Sequence, residues 1–227
     1  MRILAIDTAL AACSAAVLDT ELGGILASES IAMVRGHAEA LLPMLKRVMD
    51  EAGVKFSDID RIAVTTGPGS FTGLRVGIAA ARGIALGADK PAVGLTTLSA
   101  YAAPHVAADD RLPVIAAIDA RHSHVYLQVF GPGGRTSSAP RLAPLQDAVA
   151  AAAEGPAVIV GSAAQSVADG LGAAGAPPST VDPRPAPDIA WVARLGAVVA
   201  EEQAPLKPQY LRAPDAQPQN AAQLPRR

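Results

Sequence analysis

A short apolar run that ends in an acid occurs twice in this chain, and it constrains the fold more than any other feature. The first copy covers residues 3–7 and is followed across a tight connection by a second apolar run, residues 13–18, which is typical of a β-hairpin. The second copy covers residues 113–119 and is followed in the same way by residues 124–130. Two matching hairpins therefore predict a fold with an internal repeat.

The segments after each hairpin extend this repeat. In the first half they are a strand at 23–31, a helix at about 37–52, a strand at 61–66, a glycine-rich turn at 67–72, a helix at 73–87 and a strand at 91–95. In the second half, residues 157–162 repeat the step from strand to glycine, and a short helix follows. We expect a duplicated, two-lobed α/β fold of the actin, Hsp70 and sugar-kinase type. Chance recurrence of a short apolar pattern is the alternative.

The remaining segments set the expected boundaries. Residues 131–144 and 172–187 are rich in Pro, Gly, Ser and Ala and are predicted to be loops. An amphipathic helix at 188–203, with Asp188 as its N-cap, is expected to pack back on the first lobe. The predicted units are an N-terminal lobe (1–103), a smaller C-terminal lobe (104–187) and an extended tail (204–227).

Composition and charge exclude several classes of function. The formal net charge is −2 and the isoelectric point is near 6.1, whereas a protein that binds nucleic acid on its own needs clustered lysine and arginine. The single cysteine, Cys13, argues against an internal disulfide and a cysteine-based zinc site, and it is typical of a reducing compartment. Residues 10–13 resemble a lipoprotein cleavage box, but Asp7 interrupts the preceding apolar run. We therefore expect a cytoplasmic protein without a membrane span.

The glycine-rich segment between a predicted strand and a predicted helix is the most distinctive part of the chain. Its members are Gly67, Pro68, Gly69, Ser70, Phe71, Thr72 and Gly73. It lacks the lysine of a Walker loop and departs from the spacing of a dinucleotide fingerprint. Two interpretations stay open: an anion-binding loop, and a sharp turn whose glycines permit close packing. In the following helix, Gly77 and Ala81 continue a face with few side-chain atoms, suited to the chain's own sheet or to a helix–helix interface.

No catalytic constellation and no metal site is predicted. Ser70 lacks the flanking glycines of a nucleophile elbow. His122 and His124 share one face of a strand without a third ligand at metal spacing. Asp7 and Asp119 end the two matching strands, where kinase-like folds carry their metal–phosphate acids. Capping of the hairpin turn is the alternative for both.

Several segments together resemble the TsaB family, also called YeaZ. They are ILAIDT at 3–8, RGHAEALLP at 35–43, GPGSFTGLRVG at 67–77, DAR at 119–121, YLR at 210–212 and PDA at 214–216. The resemblance spans nearly the whole chain, and the glycine-rich block is its most specific part. It implies a two-lobed member of the actin/Hsp70 superfamily and a paralogue of the transferase TsaD.

The resemblance also implies a function. TsaD transfers a threonylcarbamoyl group to N6 of adenosine 37 in tRNA, and the expected role of this chain is a non-catalytic scaffold that binds and activates TsaD together with the ATPase TsaE. The implied partners are TsaD in a heterodimer, TsaE, a second copy when alone, and tRNA only through the complex. No cofactor is expected on the chain alone, and ADP or ATP at the partner interface is left open. The alternative is a small-molecule kinase of the same superfamily.

This sequence departs from the transferase at positions that carry its chemistry. Thr97 and Tyr101 stand where the transferase has two metal-binding histidines. The first hairpin connection, residues 8–14, lacks the glycine that phosphate-binding hairpins of the superfamily usually carry. By resemblance, the partner contact uses the two helices of the first lobe. The residues expected at that contact are Leu41, Leu42, Leu45, Val48, Met49, Leu74, Ile78 and Arg82.

Overall fold

The computed structural model describes residues 1–175 and 180–212, which form two five-stranded sheets. The strands of the first sheet are β1 (Arg2–Asp7), β2 (Ala12–Asp19), β3 (Gly24–Ala32), β4 (Arg61–Gly67) and β5 (Ala92–Thr96). Those of the second are β6 (Val114–Asp119), β7 (His124–Phe130), β8 (Arg141–Pro144), β9 (Val158–Val160) and β10 (Thr180–Asp182). The helices are α1 (His37–Ala52), α2 (Phe71–Ala88), α3 (Thr97–Ala108), α4 (Leu145–Ala153), α5 (Ala164–Ala173) and α6 (Ile189–Val198). Short 3-10 turns cover Phe56–Asp58, Pro132–Gly134 and Glu201–Gln203.

The two sheets have the same topology. The first has the order β3-β2-β1-β4-β5 and the second, read from the corresponding edge, β8-β7-β6-β9-β10. In each, the first strand in the chain is central, pairs antiparallel with its hairpin partner, and pairs parallel with the strand that follows later. Ile6 lies opposite Ala15, and Ile118 lies opposite Tyr126, at the matching ends of the hairpins. The duplicated two-lobed α/β fold expected from the sequence is therefore confirmed.

The first lobe is a sheet covered on both faces. The apolar side chains of α1 and α2 pack with alternate residues of β1, β2 and β4 on one face. On the other face, Ile189 and Val192 of α6 pack against Ile3 and other inward residues of the sheet. Alternation of side chains along each strand supplies both layers. The predicted helix at 188–203 therefore does pack back on this sheet.

Helix α6 begins as predicted but ends earlier. The carboxylate of Asp188 accepts a hydrogen bond from Ala190 N at 2.9 Å, so the expected N-cap is present. At the other end, the guanidinium of Arg61 donates to Gly196 O and Val199 O, both at 3.0 Å. These carbonyls lie in the last turn, where no intrahelical donor remains, and a cation there is favourable. This contact caps the helix where it ends, at Val198.

Helix α3 lies between the two sheets. Ala100 belongs to the core of the first lobe, whereas Leu98 and Tyr101 pack with Ile118 in the core of the second. The boundary expected at residue 103 falls inside this helix. The two lobes thus share a buried helix in addition to the chain crossings before and after the second sheet.

Two predicted loops are partly wrong. Residues 131–144 include strand β8, and residues 172–187 include strand β10. Both are edge strands of three or four residues, too short for a recognisable alternation. Residues 176–179 and 213–227 lie outside the described part of the chain, so the PDA segment and most of the predicted tail do as well. Within the described ranges, no helix is both long and apolar enough to cross a membrane.

Candidate interlobe site

The glycine-rich segment is packed against the first hairpin. The amide of Ser70 donates to Ala9 O at 2.7 Å. A Cβ on Gly69 would lie 2.3 Å from the same Ala9 oxygen, a distance that only glycine tolerates. Gly67 has a φ of 114°, and its conformation also favours glycine. Of the two interpretations left open by the sequence, the structure therefore favours close packing at this turn.

The bare face of α2 also lies within the chain. The Thr8 hydroxyl donates to Gly73 O at 2.7 Å, and a Cβ on Gly73 would lie only 2.0 Å from Thr8 O. At Gly77, a Cβ would lie 2.5 Å from Thr8 Oγ1. Ser70 caps the helix by accepting from Gly73 N at 3.3 Å. The small residues on this face thus bring α2 against β1 and its turn, and the alternative of a helix–helix interface on this face is wrong.

Asp7 is sealed under the first hairpin. Its side chain has no exposed surface, and Oδ1 accepts from Ala9 N at 3.0 Å and from the Thr65 hydroxyl. Its other oxygen, Oδ2, is buried without a hydrogen-bond partner among the described residues. Burial raises the pKa of this carboxyl, because desolvation disfavours its charged form. Asp7 therefore caps the turn and does not face solvent.

Asp119 makes the equivalent turn contact in the second lobe but stays open. Its Oδ1 accepts from Arg121 N at 2.8 Å, the same spacing of two residues as between Asp7 and Ala9. Its own amide donates to Ser162 Oγ at 3.1 Å. The side chain is exposed. The capping interpretation thus describes both acids, and their difference lies in access to solvent.

A cavity of about 400 Å³ lies between the lobes beside Asp119. Its walls are formed by Leu10, residues 68–72, residues 119–121, Tyr126 and residues 209–212. These ranges include parts of three segments that carry the family resemblance. No sequence pattern predicts that these segments meet, because dozens of residues separate them along the chain.

The positions considered for metal binding in the sequence, Thr97, Tyr101 and the pair His122 and His124, do not line this cavity. Thr97 is fully buried and its hydroxyl has no partner among the described residues. Tyr101 donates to Arg184 O at 2.9 Å, and burial raises the pKa of its phenol. His124 Nδ1 contacts the carbonyl of His122 at 2.7 Å in an exposed turn. Across residues 1–175 and 180–212, no group of three His, Cys, Asp or Glu side chains could hold a metal ion.

The structure corrects the residues expected at the partner contact. Six of the eight lie in the core of the first lobe, each at most 3% exposed: Leu41, Leu45, Val48, Met49, Leu74 and Ile78. Their apolar faces are covered by the chain's own sheet. Leu42, at 63% exposed, and Arg82 lie on the outer side of the same helices, and Leu86 is 86% exposed there. A contact through these helices would thus use their outer faces.

Comparison with protein families gives a match over most of the chain. The model of the family described as TsaD, tRNA N6-adenosine threonylcarbamoyltransferase, matches residues 14–175. The tRNA threonylcarbamoyladenosine biosynthesis protein TsaB of Escherichia coli is 42% identical over 126 residues, 56% of this chain and 53% of that protein. An uncharacterized protein of Mycobacterium tuberculosis is 36% identical over 95% of this chain and 94% of its own. The match to the curated TsaB relatives thus spans about half of their length.

Solved structures agree in fold. YeaZ from Pseudomonas aeruginosa superimposes with a TM-score of 0.74 and 29% sequence identity, over 92% of this chain and 99% of that chain. The ethanolamine utilization protein EutJ from Carboxydothermus hydrogenoformans has a TM-score of 0.51 at 13% identity, over 86% of this chain and 90% of its own. The second likeness concerns the fold alone. The first extends over the whole of a related protein.

Proposed function

The chain belongs to the TsaB family, also called YeaZ, and we propose that it is the non-catalytic subunit that binds and activates the transferase TsaD in forming N6-threonylcarbamoyladenosine on tRNA. In this proposal TsaE supplies ATPase activity to the complex and tRNA is contacted only through it. The chain needs no cofactor of its own. The complex is cytoplasmic, and the free chain forms a homodimer.

One observation carries the non-catalytic part of this proposal: the site where related kinases engage phosphate is filled by the chain itself. Ala9 O accepts a hydrogen bond from the Ser70 amide, and the Thr8 hydroxyl donates one to Gly73 O. Asp7 is fully buried beneath them. A phosphate or its metal ion would have to displace the first hairpin before reaching that carboxylate. The kinase alternative requires such displacement, and no feature of the described residues favours it.

The outer face of α2 supports a partner contact. Leu86 is 86% exposed, and Gly83 and Gly87 beside it have open space where a Cβ would stand. On α1, Leu42 adds an exposed apolar side chain. An apolar and nearly flat helical surface suits close approach of helices from another subunit. We therefore place the TsaD contact on the outer sides of α1 and α2.

The direct test is threonylcarbamoyl transfer to tRNA in a mixture of TsaD, TsaE and threonylcarbamoyl-AMP synthase, with and without this chain. We expect modified adenosine only when the chain is present, and none from the chain alone. Equal rates without it would refute the activating role. Stoichiometric metal or nucleotide on the purified chain would argue for the enzyme alternative instead.

Matched variants locate the contact. Leu42→Asp with Leu86→Asp should abolish co-elution with TsaD, because an unpaired charge would be buried at the interface. Leu22→Asp, at a side chain 73% exposed in the turn between β2 and β3, is the control and should bind normally. Normal binding by the first variant would remove α1 and α2 from the interface while leaving the activating role to the transfer assay.

A further inference from the structure

The segment that follows α6 and its 3-10 turn runs back along the first lobe; we call residues 204–212 the terminal strap. Ala204 O accepts from Gly94 N at 2.9 Å, at the free edge of β5. Further along, Leu206 O accepts a hydrogen bond from the Arg82 guanidinium. The strap is thus fixed to both an edge strand and α2 before it reaches the space between the lobes.

At the end of β4, the strap closes over the glycine-rich turn. Gln209 N donates to Thr66 O at 2.7 Å. A Cβ on Gly67 would lie 2.8 Å from Gln209 O, so this glycine also makes room for the strap. Thr66 and Gly67 therefore join the strap to the same turn that holds the first hairpin.

An aromatic and cationic stack continues the contact. The rings of Phe71 and Tyr210 have centroids 4.7 Å apart. The Arg75 guanidinium lies 3.7 Å from the Phe71 centroid, and its Nε donates to the Tyr210 hydroxyl at 3.1 Å. Phe71 and Tyr210 are 37% and 41% exposed. The stack is therefore at the surface, where solvent can compete with it.

The last described residue of the strap crosses to the other lobe. Arg212 Nη1 donates to Ala120 O at 2.7 Å, in the turn between β6 and β7. Among residues 1–175 and 180–212, the main chain otherwise passes between the lobes at α3 and at the segment between β10 and α6. The strap adds a third connection, and it lies along the wall of the interlobe cavity.

We propose that the terminal strap is an interlobe latch. Tyr210 contacts α2 and Arg212 contacts the second lobe, so the strap holds the two lobes in one relative position and forms one wall of the cavity. The lobes share helix α3, and the hydrogen bond from Arg212 to Ala120 O adds a contact outside that helix, which restricts rotation of one lobe relative to the other. Release of the latch opens the cavity.

The test compares Tyr210→Ala combined with Arg212→Ala against the unchanged chain. Spin labels at Ser57→Cys and Ser166→Cys, both exposed and one in each lobe, report the interlobe distance, while the native Cys13 is buried and is not labelled. We expect one narrow distance distribution for the unchanged chain. For the double variant we expect a broader distribution shifted to longer distances. Amide exchange in residues 119–124 should also become at least about tenfold faster.

Two controls and two contrary results complete the test. Lys207→Ala alters an exposed strap side chain and should leave the interlobe distance distribution unchanged. Tyr210→Phe keeps the ring stack, so its distance distribution should be close to that of the unchanged chain. An unchanged distribution in a folded double variant would overturn the proposal. Loss of the folded lobes, measured by circular dichroism, would make the strap part of the core and would also overturn it. Neither result bears on the transfer assay.

Discussion

Replacing Gly73 with alanine tests whether the small face of α2 is a packing surface. On helix propensity alone, alanine should stabilise this position by about 1 kcal/mol. The structure predicts the opposite. The new Cβ would lie 2.0 Å from Thr8 O, whereas carbon and oxygen atoms in ordinary contact are more than about 3 Å apart. The obstacle is backbone, so the hairpin or the helix has to move.

The expected magnitude follows from three contributions. Overpacking of this kind costs about 1–3 kcal/mol. Displacement of Thr8 also weakens its 2.7 Å hydrogen bond to Gly73 O, which contributes about 1 kcal/mol. After subtraction of the propensity gain, we expect Gly73→Ala to lower the free energy of unfolding by about 1–3 kcal/mol. For a chain of this size, a loss of about 2 kcal/mol corresponds to a fall in melting temperature of about 4–8 °C.

Gly83→Ala is the matched control in the same helix. Nothing lies within 4 Å of the position its Cβ would take, so the substitution should stabilise the chain by about 0.5–1 kcal/mol. Thermal and urea denaturation of both variants measure the difference. If Gly73→Ala were as stable as Gly83→Ala, the packing argument for the glycine-rich block would be refuted.

Five further substitutions test the burial and charge of single side chains. Ile78→Asp should unfold the first lobe, because it buries an unpaired charge in the core, whereas Leu86→Asp should leave the melting temperature of the free chain nearly unchanged. Arg61→Ala should cost about 2–3 kcal/mol by removing the donors to the end of α6, and Arg111→Ala, whose side chain is 85% exposed, should leave stability unchanged. Because the pKa of Asp7 is raised in the folded state, the folded chain binds more protons than the unfolded chain above about pH 4. The free energy of unfolding of Asp7→Asn, minus that of the unchanged chain, should therefore become more positive as the pH rises from 4 to 8. Urea denaturation of both proteins at each pH measures this difference.

The sequence predicts those elements that have a clear apolar pattern. The strand at 3–7 is a short continuous apolar run because both of its faces are buried, and the apolar residues of the helix at 37–52 recur with the helical period because one face packs on the sheet. Helices α3 and α4 were not predicted, since both are rich in alanine; α3 also lacks a clear polar face, and α4 is only nine residues long. The edge strands β8 and β10 were missed because each is very short.

The partner residues show why a pattern cannot distinguish two kinds of burial. The family resemblance implies that the apolar stripe of α1 contacts another subunit, and the helical period agrees with that, but Leu45 and Val48 pack on the chain's own sheet. An amphipathic helix has the same period whether it covers its own core or a partner's. The contacts of the strap could not be predicted from the sequence either, because Gln209 and Thr66 are far apart in sequence and share no motif.

Comparison of the two lobes explains what the glycines after the parallel strands do. Gly67, the last residue of β4, has a φ of 114°, and Gly161, directly after β9, has a φ of 106°. A Cβ on Gly161 would lie 2.3 Å from Ala117 O in the central strand of its sheet, much as Gly69 approaches Ala9. The second lobe lacks the distinctive glycine-rich motif but keeps this close backbone approach. The simplest physical account is that packing of a turn on the central hairpin came with the duplicated fold. Phosphate binding need not be invoked for these glycines, which agrees with a subunit that acts through its surface.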